Sequence, residues 1–198
     1  MRDKYGVLNE AGCYPGTDVL INKLDIRDPR LLQEAEAAFA AASAESIELG
    51  DPPFDLAYWC DLHKTLFGDV YDWAGQIRTV DISKGDTRFC TASRIAVEAG
   101  RLLRTLNDTA PSSLARRAQL AFIAEMYGEL NMVHPFREGN GRSQRLLFEH
   151  WLFHHGMAVS WARVEPQHWL DGCVAAVACD YAILESIFEN CTSPLPSL

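Results

Sequence analysis

A single stretch of this chain alternates apolar and polar residues, and the segments around it are spaced for helices. Ile77-Arg78-Thr79-Val80-Asp81-Ile82 alternates, Lys84-Gly85-Asp86-Thr87 supplies a turn, and Arg88-Phe89-Cys90 follows. That pattern predicts one β-hairpin. Elsewhere the punctuation is helical. Asp28-Pro29 sets a capping acid before a proline at the first helical position. It opens an alanine-rich run over 31–49 that Gly50 closes. Asp51-Pro52-Pro53 is the next break, and Leu56, Trp59, Cys60, Leu66 and Phe67 recur at helical spacing over 54–67. Further helices are predicted over 92–106, 112–130, 141–155 (stopping at Gly156), 165–177 and 180–190. The expected fold is mainly α, a compact helical bundle with one small β-hairpin.

At 198 residues the chain has room for one domain, and 48% hydrophobic with 23% charged residues is globular composition. Residues 1–28, with Gly6, Gly12, Pro15 and Gly16, read as an irregular arm packing on a domain that spans 29–190, and 191–198 reads as a tail. A net charge of −9 argues against broad binding to nucleic-acid backbones, because no excess of cations is available to release counterions. One local cationic site for a small polyanion is compatible with it. The six cysteines, at 13, 60, 90, 173, 179 and 191, form no CxxC pair and read as reduced, mostly buried thiols. Met1–Gly6 lacks the apolar stretch of a signal peptide, and no run reaches the roughly 20 apolar residues of a membrane span. The expectation is a cytoplasmic protein that contacts neither membrane nor nucleic acid directly.

The chemistry concentrates in His134-Pro135-Phe136-Arg137-Glu138-Gly139-Asn140-Gly141-Arg142-Ser143-Gln144-Arg145. Two glycines flank an asparagine just before a helix, so the backbone can turn sharply and aim several N–H groups outward. Unpaired donors at the positive end of a helix dipole make an anion site. Arg142 and Arg145, three apart, share a helix face and can reach the same phosphate oxygens. Glu138 adds a carboxylate, and carboxylate, phosphate oxygens and water are the usual Mg²⁺ ligands. His134 stands at the loop entrance, where a neutral imidazole can accept a proton. These are the parts for phosphoryl or nucleotidyl transfer. A solvated glycine-rich helix start accounts for each residue singly and for the whole set poorly. Of the other histidines, His63, His150 and His168 lack companions at ligand spacing and read as packed or surface residues.

The segment resembles the signature of the Fic (Fido) domain family, His-Pro-Phe-x-Asp/Glu-Gly-Asn-Gly-Arg-x-x-Arg, at every specified position. Tyr14–Leu20 with Asn22-Lys23-Leu24 is similar to the N-terminal arm of the small bacterial Fic toxins of toxin–antitoxin pairs. Residues 71–78 and 82–89 resemble the family's approach segment and target-binding flap. The resemblance implies a Fic-type bundle that transfers AMP from ATP to a protein hydroxyl and releases pyrophosphate. By position, His134 is then the general base and Glu138 holds Mg²⁺. The backbone and side chain around Gly139, Asn140 and Gly141 cradle the phosphates, Arg142 and Arg145 hold the β- and γ-phosphates, and Phe136 plugs the loop into the core. Ser83, Lys84 and Gly85 become the flap that pairs with an extended target, with a solvated turn as the competing reading. Trp169 stacks on adenine or packs in the core.

Three other activities stay open at this point. A Fic relative with lysine in place of Gly141 transfers the γ-phosphate, phosphocholine transfer also occurs in the family, and a silent scaffold would have lost motif residues that this chain keeps. The toxin resemblance further implies the ATPase subunits of DNA gyrase and topoisomerase IV as targets. It also implies a small helical antitoxin that inhibits in trans with a glutamate from Ser/Thr-x-x-x-Glu-Gly/Asn. In this chain a glutamate precedes Gly or Asn only at Glu138 and Glu189, and Glu185 rather than Ser or Thr stands four residues before Glu189.

Overall fold

The computed structural model describes residues 12–195. Seven α-helices appear among them: α1 (Pro29–Glu45), α2 (Leu56–Phe67), α3 (Ile95–Asp108), α4 (Arg116–Val133), α5 (Asn140–His154), α6 (Pro166–Ala175) and α7 (Ala182–Cys191). Two antiparallel pairs accompany them, β1 (Ser83–Lys84) with β2 (Thr87–Arg88), and β3 (Met157–Val159) with β4 (Thr192–Pro194). The fold is mainly α, as expected.

Helix α4 lies at the centre, against α3, α5 and α7, while α2 packs between α1 and α5. The main core gathers around Trp59, Leu103, Leu106, Tyr127, Phe136, Phe148, Trp151 and Phe188, all fully buried. Each large apolar side chain there contributes roughly 2–3 kcal/mol by leaving water. The arm from residue 12 onward is irregular but anchored. Cys13, Tyr14, Val19 and Leu20 join Leu32, Ala40, Phe67, Val70 and Tyr71 in a second cluster. Asn22 pins the arm's bend, donating to the carbonyls of Leu20 (3.0 Å) and Ile26 (2.7 Å) and accepting from Ile26 N–H. The rest of the predicted arm, residues 1–11, lies outside the described residues, as does 196–198 of the predicted tail.

Four boundaries differ from the sequence expectation. α1 begins as predicted, with the Asp28 carboxylate accepting from Arg30 and Leu31 N–H at 2.9 and 3.0 Å, but it ends at Glu45 rather than at 49. Gly50 does not cap it; a Cβ there would stand 2.6 Å from the Tyr58 hydroxyl, so Gly50 makes room for that ring. The turn at Pro111–Ser113 is 3₁₀, which delays α4 to Arg116. The hairpin pairs only Ser83 with Arg88 and Lys84 with Thr87, and residues 77–82 form no ladder. Their alternation reflects burial, since Ile82 and Phe89 pack with Val80 in a small cluster of their own. Finally, the predicted tail is not wholly free: Thr192–Pro194 pairs with Met157–Val159 in a second small sheet that was not foreseen.

Candidate active site

The site is built on the connection between α4 and α5. α4 ends at Val133, and His134 follows in the left-handed region (φ 46°), so its side chain leaves the helix line. Gly139 is also left-handed (φ 78°) and caps the N-terminus of α5. Asn140 closes the loop between them. Its Oδ1 accepts from the Phe136 N–H and its Nδ2 donates to the Phe136 carbonyl, both at 2.7 Å. The Asn140 side chain is therefore buried and engaged within the loop, while the residue still lines the cavity described below. The first N–H groups of α5 have no acceptor within the helix, so its N-terminus presents backbone donors. Phe136 is the apolar plug that was expected, edge-on to Trp59 and stacked on His63 with centroids 3.9 Å apart.

The His134 ring stacks on Phe89 of the hairpin's return strand at 3.9 Å, and its Nδ1 lies 3.0 Å from the Asn131 carbonyl. Nδ1 must donate there, so Nε2 carries the lone pair. Burial pushes the imidazole pKa down to about 4, aided by the Arg78 and Lys84 charges, so the ring is neutral near pH 7. Glu138 is buried, and its Oε1 accepts from Gly139 N–H at 2.9 Å. Arg142 lies over the Phe67 ring at 4.5 Å, with one guanidinium nitrogen 2.9 Å from Glu36 and 3.7 Å from Glu138.

One cavity of about 510 Å³ collects these groups. It is lined by His134, Glu138, Gly139, Asn140, Gly141, Arg142 and Arg145 of the loop and α5, by Lys84, Gly85 and Phe89 of the hairpin, and by Trp169, Leu170 and Val174 of α6. Its size suits a nucleotide. Of the predicted flap residues, Lys84 and Gly85 reach the cavity and Ser83 does not. Trp169 packs edge-on against Tyr127 and Trp161, as the core reading of it foresaw, and it also lines the cavity. Among the described residues no cluster of three or more metal-ligating side chains occurs. A lone carboxylate at an anion cradle fits Mg²⁺ carried by a phosphate chain, since that ion keeps water and needs one or two protein carboxylates.

Residues 53–152, which contain this loop, match the model of the Fic/DOC family. The chain belongs to the Fic/DOC family. It is 36% identical over 98% of its length to a Salmonella typhimurium protein named probable protein adenylyltransferase Fic, covering 97% of that protein. It is 38% identical over 83% of its length to the protein adenylyltransferase VbhT of Bartonella schoenbuchensis, of which it covers 35%. Among solved structures, the BepC effector of Bartonella tribocorum with bound AMPPNP superposes with a TM-score of 0.83 at 26% identity, over 92% of this chain and 96% of that one.

This Fic-family site also depends on residues that sequence reasoning missed. Arg78 is buried and donates only to backbone carbonyls: His134 from Nε at 2.8 Å, Val80 from Nη1 at 2.7 Å, and Cys90 and Val133 from Nη2 at 2.5 and 3.3 Å. It thereby ties both ends of the flap to the end of α4. His63, read as packed or surface, has a definite task. Its Nδ1 accepts from Gly75 N–H and its Nε2 donates to the Glu138 carbonyl, each at 2.9 Å, and burial holds its pKa down at about 4. No spacing rule could find either residue, because the partners that tie them to the loop are far along the chain: His134 is 56 positions from Arg78, and Glu138 is 75 from His63.

Proposed function

We propose that this chain is a protein adenylyltransferase that transfers AMP from ATP to a hydroxyl side chain of a target protein. The observation that carries the reading is the pairing, across one cavity, of a neutral imidazole with an anion cradle flanked by two arginines. His134 Nε2 takes the proton of the target hydroxyl, whose oxygen bonds to the α-phosphorus as the bond to the β-phosphate oxygen breaks. Pyrophosphate leaves toward Arg142, Arg145 and the first N–H groups of α5, where charge is already met by fixed donors. Glu138 holds Mg²⁺, which when bound supplies charge neutralisation on the α- and β-phosphates. Trp169 and its apolar neighbours on α6 receive the adenine. The β1–β2 hairpin aligns an extended target segment through backbone pairing, with Ser83, Lys84 and Gly85 at its turn.

The resemblance of the Tyr14–Leu24 arm to that of small Fic toxins supports a toxin acting in the bacterial cytoplasm on the ATPase subunits of DNA gyrase and topoisomerase IV. A small helical antitoxin then restrains it in trans by setting a glutamate against Arg145. Leu170, Val174 and Val177 form an exposed apolar edge on and beside α6 at the cavity mouth, where such a cap would seat. Internal restraint by Glu189 is disfavoured, because Glu189 lies beside Arg116 and Arg117 in a groove away from His134. The Tyr14–Leu24 arm and α1 are further surface for such an antitoxin: Tyr14, Val19 and Leu20 are buried, but Ile21 on the arm and Leu31 and Phe39 on α1 are exposed. Purified gyrase incubated with the protein and ATP labelled at the α- or γ-phosphate tests the reading. Label carried only from the α-position supports AMP transfer. Label from the γ-position makes the enzyme a kinase, no label rejects gyrase as target, and mass spectrometry identifies any modified side chain.

A further inference from the structure

Arg142 is held from behind by a residue outside the family signature. Glu36 sits on α1, upstream of the 53–152 stretch that matches the family model, yet its side chain is buried, beside Leu32 and Tyr71. A carboxylate in such surroundings is costly unless its oxygens are met by donors. Both are met here. The Tyr71 hydroxyl donates to Oε1, and Arg142 Nη2 donates to Oε2 at 2.9 Å. Glu36 does not line the cavity that contains His134; it faces a smaller one of about 190 Å³ on the other side of Glu138, with Asp18, Gln33 and Tyr71. It grips one edge of the guanidinium without blocking the nucleotide side. Arg142 has a second carboxylate near it, Glu138, at 3.7 Å, beyond hydrogen-bond reach.

We infer that Glu36, fixed by Tyr71, is a positioning residue that keeps Arg142 aimed at the phosphates and off Glu138. Without it, Glu138 is the nearest carboxylate, and a full Arg142–Glu138 ion pair withdraws the arginine from the nucleotide and neutralises the Mg²⁺ ligand together. The inference rests on the adenylyl-transfer reading, which makes Arg142 a phosphate ligand.

Calorimetric titration with a non-hydrolysable ATP analogue and Mg²⁺ tests it on the wild type, E36Q, Y71F, R142A and the double variants E36Q/R142A and Y71F/R142A. The expected result is an affinity loss of about tenfold for E36Q, a smaller one for Y71F, and no further loss when either is added to R142A. Should E36Q fail to fold, Y71F, which leaves the carboxylate in place, carries the same comparison. Losses that multiply with that of R142A, or single variants that bind as the wild type does, overturn the inference and leave the transferase reading intact. A wild type that binds no nucleotide refutes both.

Discussion

Replacing Arg78 by methionine keeps most of the side chain's volume and removes every donor. Four backbone carbonyls, of Val80, Cys90, Val133 and His134, then lose their partner within a buried region. Hydrogen bonds from a charged donor are worth about 1.5–3 kcal/mol each, but four sharing one guanidinium do not add. A total near 4 kcal/mol is expected, similar to breaking a buried ion pair and a large share of the roughly 5–15 kcal/mol that holds a domain together. Arg78→Lys, with one ammonium that cannot span four acceptors, should lose about half as much. Urea denaturation followed by tryptophan fluorescence reads the stability, since Trp59 and Trp151 are fully buried. Transfer kinetics read the function. His134 is displaced more than the phosphate cradle is, so kcat should fall by about tenfold or more while nucleotide affinity holds. Loss of the positive charge also lets the His134 pKa rise, moving the acid limb of the pH–rate profile upward. A methionine variant that loses less than about 1 kcal/mol and keeps its transfer rate would refute the reasoning.

Three further outcomes are expected. His134→Ala should lower transfer by at least about 100-fold while leaving binding of an ATP analogue unchanged, measured by labelled-AMP incorporation and calorimetry. Gly139→Ala should cost about 2–4 kcal/mol in denaturant melts, because its φ is +78° and the added Cβ would stand 2.4 Å from the Phe67 ring; Gly85→Ala, at φ +56° with nothing within 4 Å, should cost only about 1–2 kcal/mol. The folded state holds His63 neutral with a pKa of about 4, below the ordinary 6.5, so the unfolded chain binds more protons between those values. Its contribution is therefore whole above pH 6.5 and falls, by up to about 3 kcal/mol, as pH drops toward 4; equilibrium unfolding from pH 7 to 5 should show a shallower decline in His63→Gln.

What could be read in advance follows from how far each contact reaches along the chain. The loop from His134 to Arg145 was legible because its glycines, its helix start and its Phe136 plug are local devices. The turn at Gly85-Asp86 was legible for the same reason. The alternation over 77–82 misled only about pairing: Ile82 needed burial, and Arg78 needed carbonyls, so no ladder forms there. Gly50 looked like a helix stop, but its lack of a side chain serves Tyr58. Glu36 meets Arg142 across 106 positions, and His63 meets Glu138 across 75. The β3–β4 pair joins two three-residue strands whose sequences carry no alternation long enough to read. Such partnerships exist only once the helices have docked, which is why a buried arginine and a buried histidine looked like ordinary residues.

The double hydrogen bond between Asn140 and the Phe136 backbone has a consequence for how the protein can vary. It closes a short ring of chain, residues 136–140, that sits between His134 and the start of α5. The shape of the loop between them is thus set largely within one local segment, while Phe89 and Arg78 fix how His134 is seated at its entrance. On the adenylyl-transfer reading, substitution at Lys84 or Gly85 of the hairpin changes which hydroxyl arrives, and substitution at Leu170 or Val174 of α6 changes how the base is gripped, while the closure of the loop stays as it was. On that reading the loop and the surfaces that meet the target and the base lie in separate stretches of sequence, so the choice of target can drift without the loop having to be rebuilt.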